Sequence, residues 1–292
     1  YETINDKSDF NLYVDDILKI YRFPTFLKER YRSFFLTHYA ILNFDIFHIP
    51  FSGLFLSETK YWNKEADLYK RFNKKFVLLP YGADAYMYSR IKNESFQNAL
   101  LTSYPKAAIL EDKISEFFSY WSKKADFIPA GFMIDGFHRW DAVIGNFVII
   151  DNPYYKSTKV YSRNDGKNGS VKIAHCPNHR GAKGTEFLIE AVKSLIVEGY
   201  NIELILFENV RNSIILERLH SDIDILVEQL ILGYGLNAIE GMSSGVVTLS
   251  NLSIEQYTVL FRRYGSLNEC PIVSVTPETI KDQLEKLIIN PD

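Results

Sequence analysis

Short apolar runs separated by amphipathic stretches recur along the whole chain, at the spacing of alternating strands and helices. In the first half, residues 44–49 and 75–80 are strongly apolar and predict buried parallel strands. The stretch 57–73 between them has helical spacing, with Leu56, Trp62 and Leu68 as inward positions. A second helix is predicted over 112–124, followed by strands at 125–129 and 142–150. Residues 152–170 are polar and carry Asn-Asp-Gly and Lys-Asn-Gly turn signals, which place a boundary there. The second half then restarts. Strands at 171–176, 202–207, 223–227 and 246–250 interleave with helices at 184–199, 213–220 and 235–244. The expected class is therefore α/β, with doubly wound parallel sheets in two domains, 1–151 and 171–292, joined by a linker at 152–170. In such sheets a ligand cleft lies outside the carboxyl ends of the strands.

Composition narrows this picture only at a few points. With 292 residues, 47% hydrophobic and 24% charged, the chain is an ordinary globular one and long enough for two domains. The net charge of -3 lacks the basic surplus of a nucleic-acid binder, so no nucleic-acid partner is expected. Two cysteines, Cys176 and Cys270, cannot build a disulfide framework, which favours a reducing, cytoplasmic setting. The sequons at Asn93, Asn168 and Asn251 are then silent. No run approaches 18 apolar residues, and the acidic start does not read as a signal peptide. Opening on Tyr1 and ending on Asp292, the chain reads as a piece of a longer protein.

Two stretches carry candidate chemistry. In 172–185 a strand runs into a loop holding His179, Arg180 and Lys183, and then into the start of a helix. Free N–H groups, the positive end of the helix and two cations suit an anion such as a diphosphate. The spacing is not that of a Walker A loop. Solvated loop charges are the plain alternative. In 233–248 two glycines, Gly233 and Gly235, flank Tyr234 just before a helix that carries Glu240. A carboxylate one to two turns into such a helix can accept two ribose hydroxyls while the helix start faces phosphate. A tight turn followed by a surface charge is the plain alternative.

Taken together, Pro177, Arg180, the Lys183-Gly184-Thr185 helix start, Asp222, Gln229 and the run from Gly233 through Glu240-Gly241-Met242 to Val247 resemble one family. It is the nucleotide-sugar-binding half of the GT-B glycosyltransferases, in the large retaining group 1, or family 4. The resemblance covers 171–250 and continues through Cys270-Pro271 and Thr276-Pro277. It implies two Rossmann-like domains facing a cleft and transfer of a sugar from a nucleoside-diphosphate sugar to a glycan or glycolipid hydroxyl, in surface polysaccharide or glycolipid synthesis. It implies no resident cofactor and no metal, since the cations come from Arg180 and Lys183. These two would neutralise the donor diphosphate. Gly235 and Leu236 would offer N–H groups to phosphate, Tyr234 would lie beside them, and Glu240 would hold the ribose. Leu232 stands where the family has the first glutamate of its Glu-x7-Glu motif, and the Arg180-to-Lys183 spacing of three is shorter than the family's five. That departure opens a second reading, a catalytically degenerate nucleotide-sugar-binding subunit. A sugar-nucleotide epimerase, which shares the fold, ranks third.

The first half matches the family's acceptor domain more loosely. Residues 45–52 read as a strand delivering His48 into a loop, where the family places a cleft histidine, and Gly82-Ala83-Asp84 resembles a Gly-Ser-Asp loop that makes Asp84 a donor-side candidate. The family's first strand with its glycine-rich loop is not visible in 1–20, nor is its closing helix after Asp292. Residues 17–39 interleave Arg22, Lys28, Arg30 and Arg32 with Tyr21, Phe23, Phe26, Tyr31, Phe34 and Phe35. This is the pattern of a peripheral contact with the inner membrane face, or equally of an ordinary helix with an apolar inner side.

Overall fold

The computed structural model describes residues 25–80, 87–130, 139–143 and 162–291. Asp84 and most of the expected strand at 142–150 lie outside them.

Helix α1 (Thr25–Asn43) opens the described chain and turns Leu36, Ala40 and Ile41 inward. Strands β1 (Ile46–Ile49) and β2 (Lys75–Leu78) pair in parallel, with Phe47 opposite Phe76 and Ile49 opposite Leu78. The strict alternation in β1 buries Phe47 and Ile49 and exposes Ile46 and His48, as a half-covered pleat requires. Residues 126–127 extend this pairing from β2 toward the short parallel pair β3 (Pro129–Ala130) and β4 (Ala142–Val143), through Leu78 N–H to Phe127 O at 3.0 Å.

The expected helix over 57–73 is a correction. Only α2 (Glu65–Lys70) is α-helical there, preceded by a 3-10 turn at Trp62–Lys64. Upstream, Ser57 Oγ and Thr59 Oγ1 bond back to the carbonyls of Leu54 and Leu56, while the buried Glu65 carboxylate accepts the Leu54 and Leu56 N–H groups at 3.2 and 2.8 Å. Side chains thus satisfy the backbone that a helix would have used. Burial raises the Glu65 carboxyl to about 7, against the pull of those N–H groups.

Three helices follow: α3 (Glu94–Ser103), capped by Asn93 Oδ1 on the Phe96 N–H at 2.8 Å, α4 (Pro105–Ile109) and α5 (Glu111–Lys124). Neither α3 nor α4 is predicted from apolar periodicity. The α5 helix has Glu111 and Asp112 in its first turn and Lys123 and Lys124 in its last, which suits the helix dipole. It buries Phe117, Phe118 and Trp121 against β1 and β2.

The second half is a five-stranded parallel sheet in the order β6-β5-β7-β8-β9, formed by β5 (Val171–His175), β6 (Ile202–Leu206), β7 (Ile225–Gln229), β8 (Val247–Ser250) and β9 (Val273–Ser274). Between and after them run α6 (Arg180–Lys183), α7 (Thr185–Val197), α8 (Asn212–Ser221), α9 (Leu236–Ser243), α10 (Glu255–Tyr264) and α11 (Ile280–Ile289). Alternate residues face opposite layers. Ile173, Ile225 and Val227 meet Leu188, Leu195, Leu284 and Ile288 of α7 and α11, whereas Ala174 and Leu226 meet Ile215, Leu216 and Leu219 of α8. Helices on both faces of a parallel sheet make this half Rossmann-like. A β-carbon on Gly241 would come within 2.5 Å of Leu226 Cδ2, so glycine is what lets α9 lie this close to the sheet.

The segment 162–170 belongs to this unit, since Asn201 N–H donates to Gly166 O at 2.8 Å. Helix α3, from the first half of the chain, also packs here. Ala99 joins the second core, and Ser103 Oγ accepts the Ala182 N–H at 3.0 Å. Among the described residues no helix is long and apolar enough to cross a membrane.

Candidate functional site

The strand order has one reversal point. From β5 the chain crosses to β6 on one side, and later to β7 on the other. The loops leaving β5 and β7 therefore diverge at the carboxyl ends of these strands, the point where open parallel sheets carry a ligand crevice. Both stretches singled out from the sequence follow these strands, one after β5 and the other after β7.

The loop after β5 turns at Pro177, forms the single turn α6, and passes through Gly184 at φ +75° into α7. A β-carbon there would lie 2.9 Å from Leu230 Cβ, so this left-handed step is built for glycine. The Leu230 N–H donates to Lys183 O at 3.0 Å, stitching the loop to the end of β7. Lys183 is mostly buried, and its Nζ stands 2.6 Å from Glu228 Oε1. Arg180 is more open. Its Nε and Nη1 each donate at 2.8 Å, to Glu186 and Glu208 respectively, and these carboxylates hold the guanidinium firmly protonated. Both predicted cations thus have carboxylate partners, and each keeps further donors, since an ammonium offers three protons and a guanidinium five.

Beneath the loop, His175 is fully buried. Its Nδ1 lies 2.6 Å from Val227 O, and its Nε2 lies 2.9 Å from Thr185 Oγ1. A carbonyl only accepts, so Nδ1 carries the proton and Nε2 accepts from the hydroxyl. Burial above all, with Lys183 and Arg180 nearby, lowers this imidazole to about 4. A depressed histidine contributes stability above its ordinary value of 6.5 and loses it as the pH falls through 4. The expected loss is on the order of 3 kcal/mol over that window. Glu65, being raised, acts in the opposite sense: its contribution is full below 4.5 and lost as the pH rises through about 7. Urea unfolding of the wild type and of His175→Gln separates the two. The variant is expected to lose the acid-side decline and keep the Glu65 trend; an unchanged decline contradicts the assignment.

Across the crevice, Gly235 is the extended residue before α9, and Leu236 opens that helix with an N–H that has no carbonyl partner within it. Glu240, one turn on, is buried. Its Oε1 accepts Asn212 Nδ2 from the start of α8 at 3.0 Å, and burial raises its carboxyl while that bond opposes the shift. Cys176, just past β5, has its thiol pushed up to about 11 by burial and feels the charges of Lys183, Glu228 and Glu240.

Three sequence-predicted positions differ from expectation. Gly235 N–H is already given to Glu228 Oε2 at 3.1 Å, and a single proton cannot also serve a phosphate. The Tyr234 ring turns toward Phe261 of α10, 6.3 Å between centroids, beside a cavity of about 270 Å³. His48 is not in a loop: it sits inside β1, paired with Val77, on the exposed face, and no hydrogen bond or ion pair among the described residues ties it to the crevice. Asp222, part of the sequence pattern, is held by Arg218 and Lys172 at 2.8 Å each, away from the crevice.

Glu228, Ser250 and Asn212 were not singled out from the sequence. The one available signal for Glu228 is a charged residue directly following the apolar run 225–227. Among the described residues no group of three or more His, Cys, Asp or Glu could hold a metal ion. Neither protein-family models nor curated proteins give a match to this chain.

Proposed function

We propose that the chain is a GT-B glycosyltransferase, with the crevice between β5 and β7 as its nucleotide-sugar donor site. The observation that carries this reading is the placement of Arg180 and Lys183 on the loop after β5, and of the start of α9 with the buried Glu240 after β7, on the two sides of the sheet's reversal point. The free oxygen of Glu240 faces a ribose, while Lys183, Arg180 and the Leu236 N–H face the diphosphate. In the reaction the bond from anomeric carbon to phosphate oxygen breaks, and a bond from that carbon to the acceptor oxygen forms. The acceptor proton leaves with the departing diphosphate or to water. The two cations stabilise the charge that grows on the leaving group. The sequence resemblance adds retention of configuration and a second Rossmann-like domain, built on the first half, which would supply the acceptor.

One observation favours the second reading, a binding subunit without transfer. Leu232, at the position of the family's first glutamate, packs among Ile91, Phe96, Leu100 and Ile254, so that position faces apolar side chains. Release of nucleoside diphosphate from a panel of UDP- and GDP-sugars, with the product's anomeric configuration read by NMR, decides between them. The account expects turnover with one base and a retained anomeric centre. Binding without any turnover across acceptors gives the second reading.

A further inference from the structure

The donor-binding reading leaves unused the most deeply buried charge in the crevice. Glu228 is 1% exposed, and it lies where the pairing of β7 with β8 slips, between Val227 and Gln229. A bulge at this place re-aims a side chain that the regular pleat would send into the sheet's packing layers. From there one carboxylate joins three separate segments. Oε1 accepts Lys183 Nζ at 2.6 Å, Oε2 accepts the Gly235 N–H at 3.1 Å, and Ser250 Oγ lies 3.0 Å from Oε2 with its one proton shared with the nearer Gly233 carbonyl.

We infer that Glu228 is a positioning residue for the donor diphosphate: it fixes the Lys183 ammonium and the turn before α9 in one arrangement. The inference rests on the donor-binding reading above. Lysine has four rotatable side-chain bonds, and a free ammonium would sample many positions. Here its backbone carbonyl is tied to Leu230 N–H and its ammonium to Glu228, so the position from which its two remaining N–H donors act is set. The same carboxylate anchors Gly235, which sets where the Leu236 N–H and the start of α9 face. A β-carbon at Gly235 would come 3.2 Å from Glu228 Oε1, so glycine makes room for this close approach. Glu228 therefore acts through Lys183 and the turn, not by touching the ligand.

A double-mutant cycle tests this. The dissociation constants of UDP and of GDP, each alone, are measured calorimetrically for the wild type, Glu228→Gln, Lys183→Ala and the double variant. Glu228→Gln is expected to weaken binding about tenfold in the wild-type background, the size of coupling common between residues in contact. In the Lys183→Ala background the loss is expected to shrink to about threefold or less, the part that its hold on the Gly235 turn still carries. The same factor in both backgrounds makes Glu228 a general support of the fold and overturns the inference, as does unchanged binding in the single variant. If Glu228→Gln does not fold, Glu228→Asp, which keeps the charge but draws it back by one methylene, enters the same cycle with the same expectation. A wild-type protein that binds neither nucleotide removes the donor reading itself, and that failure is seen in the wild type before any variant is compared.

Discussion

Replacing Lys183 with alanine is expected to lower the proposed sugar transfer by about 100-fold or more, the loss typical of removing one group aimed at growing transition-state charge. The ammonium is mostly buried and pre-set by Glu228, so its loss cannot be made good by water or by a neighbouring side chain. Arg180→Ala is expected to fall less steeply, since Arg180 is more open to solvent and shares its guanidinium between Glu186 and Glu208. Lys183→Ala also strands the Glu228 carboxylate, and breaking a buried pair from one side costs about 3–5 kcal/mol. The turnover comparison therefore needs the double variant Lys183→Met with Glu228→Gln, which removes both charges together. If that variant is stable and still transfers sugar at near-wild-type rate, Lys183 has no role in the chemistry.

Trp121→Ala is expected to destabilise the protein by about 3–5 kcal/mol, the largest effect on stability we foresee from one core side chain. The indole is fully buried in α5, edge-on to Phe76 of β2 at 5.2 Å and to Tyr120 at 5.2 Å. It lies so close to the 51–53 turn that a β-carbon on Gly53 would stand 3.0 Å from its Nε1. Removing it unlocks α5 from β2 and from that turn at once. The Nε1 proton has no partner among the described residues, so Trp121→Phe removes bulk and an unsatisfied donor together. It should cost clearly less than alanine. Urea titration of both variants checks the order, and equal losses would mean that ring packing is not what Trp121 contributes.

The second half of the fold was legible because its strands alternate cleanly between two apolar layers. Ile173 and Ala174 face opposite sides, and the helices between strands carry apolar residues at helical spacing. The first half misled at 57–73, where Leu56, Trp62 and Leu68 have helical spacing but Ser57, Thr59 and Glu65 take over the backbone hydrogen bonds. Helices α3 and α4 had local signals, the cap at Asn93 and Pro105 at a helix start, without a strong apolar stripe to draw attention. At the proposed site, residue type and spacing single out Arg180, Lys183 and Glu240. Glu228 could not, because its role comes from a slipped strand register that periodicity does not encode. Tyr234 and Gly235 were adjacent in sequence to the right place, but one ring rotates toward Phe261 and the other residue's N–H is taken by Glu228.

The central claim is that the crevice at the carboxyl ends of β5 and β7 binds a nucleoside-diphosphate sugar through Glu240. Thermal unfolding in the presence of UDP- and GDP-sugars, for the wild type and for Glu240→Ala, tests it most directly. A ligand at a hundredfold excess over its dissociation constant adds about 2.7 kcal/mol to stability. A clear rise in Tm is expected with the sugars of one base, absent in Glu240→Ala. An equal rise in both proteins would move the ligand away from Glu240, and no rise with any nucleotide sugar would contradict the claim.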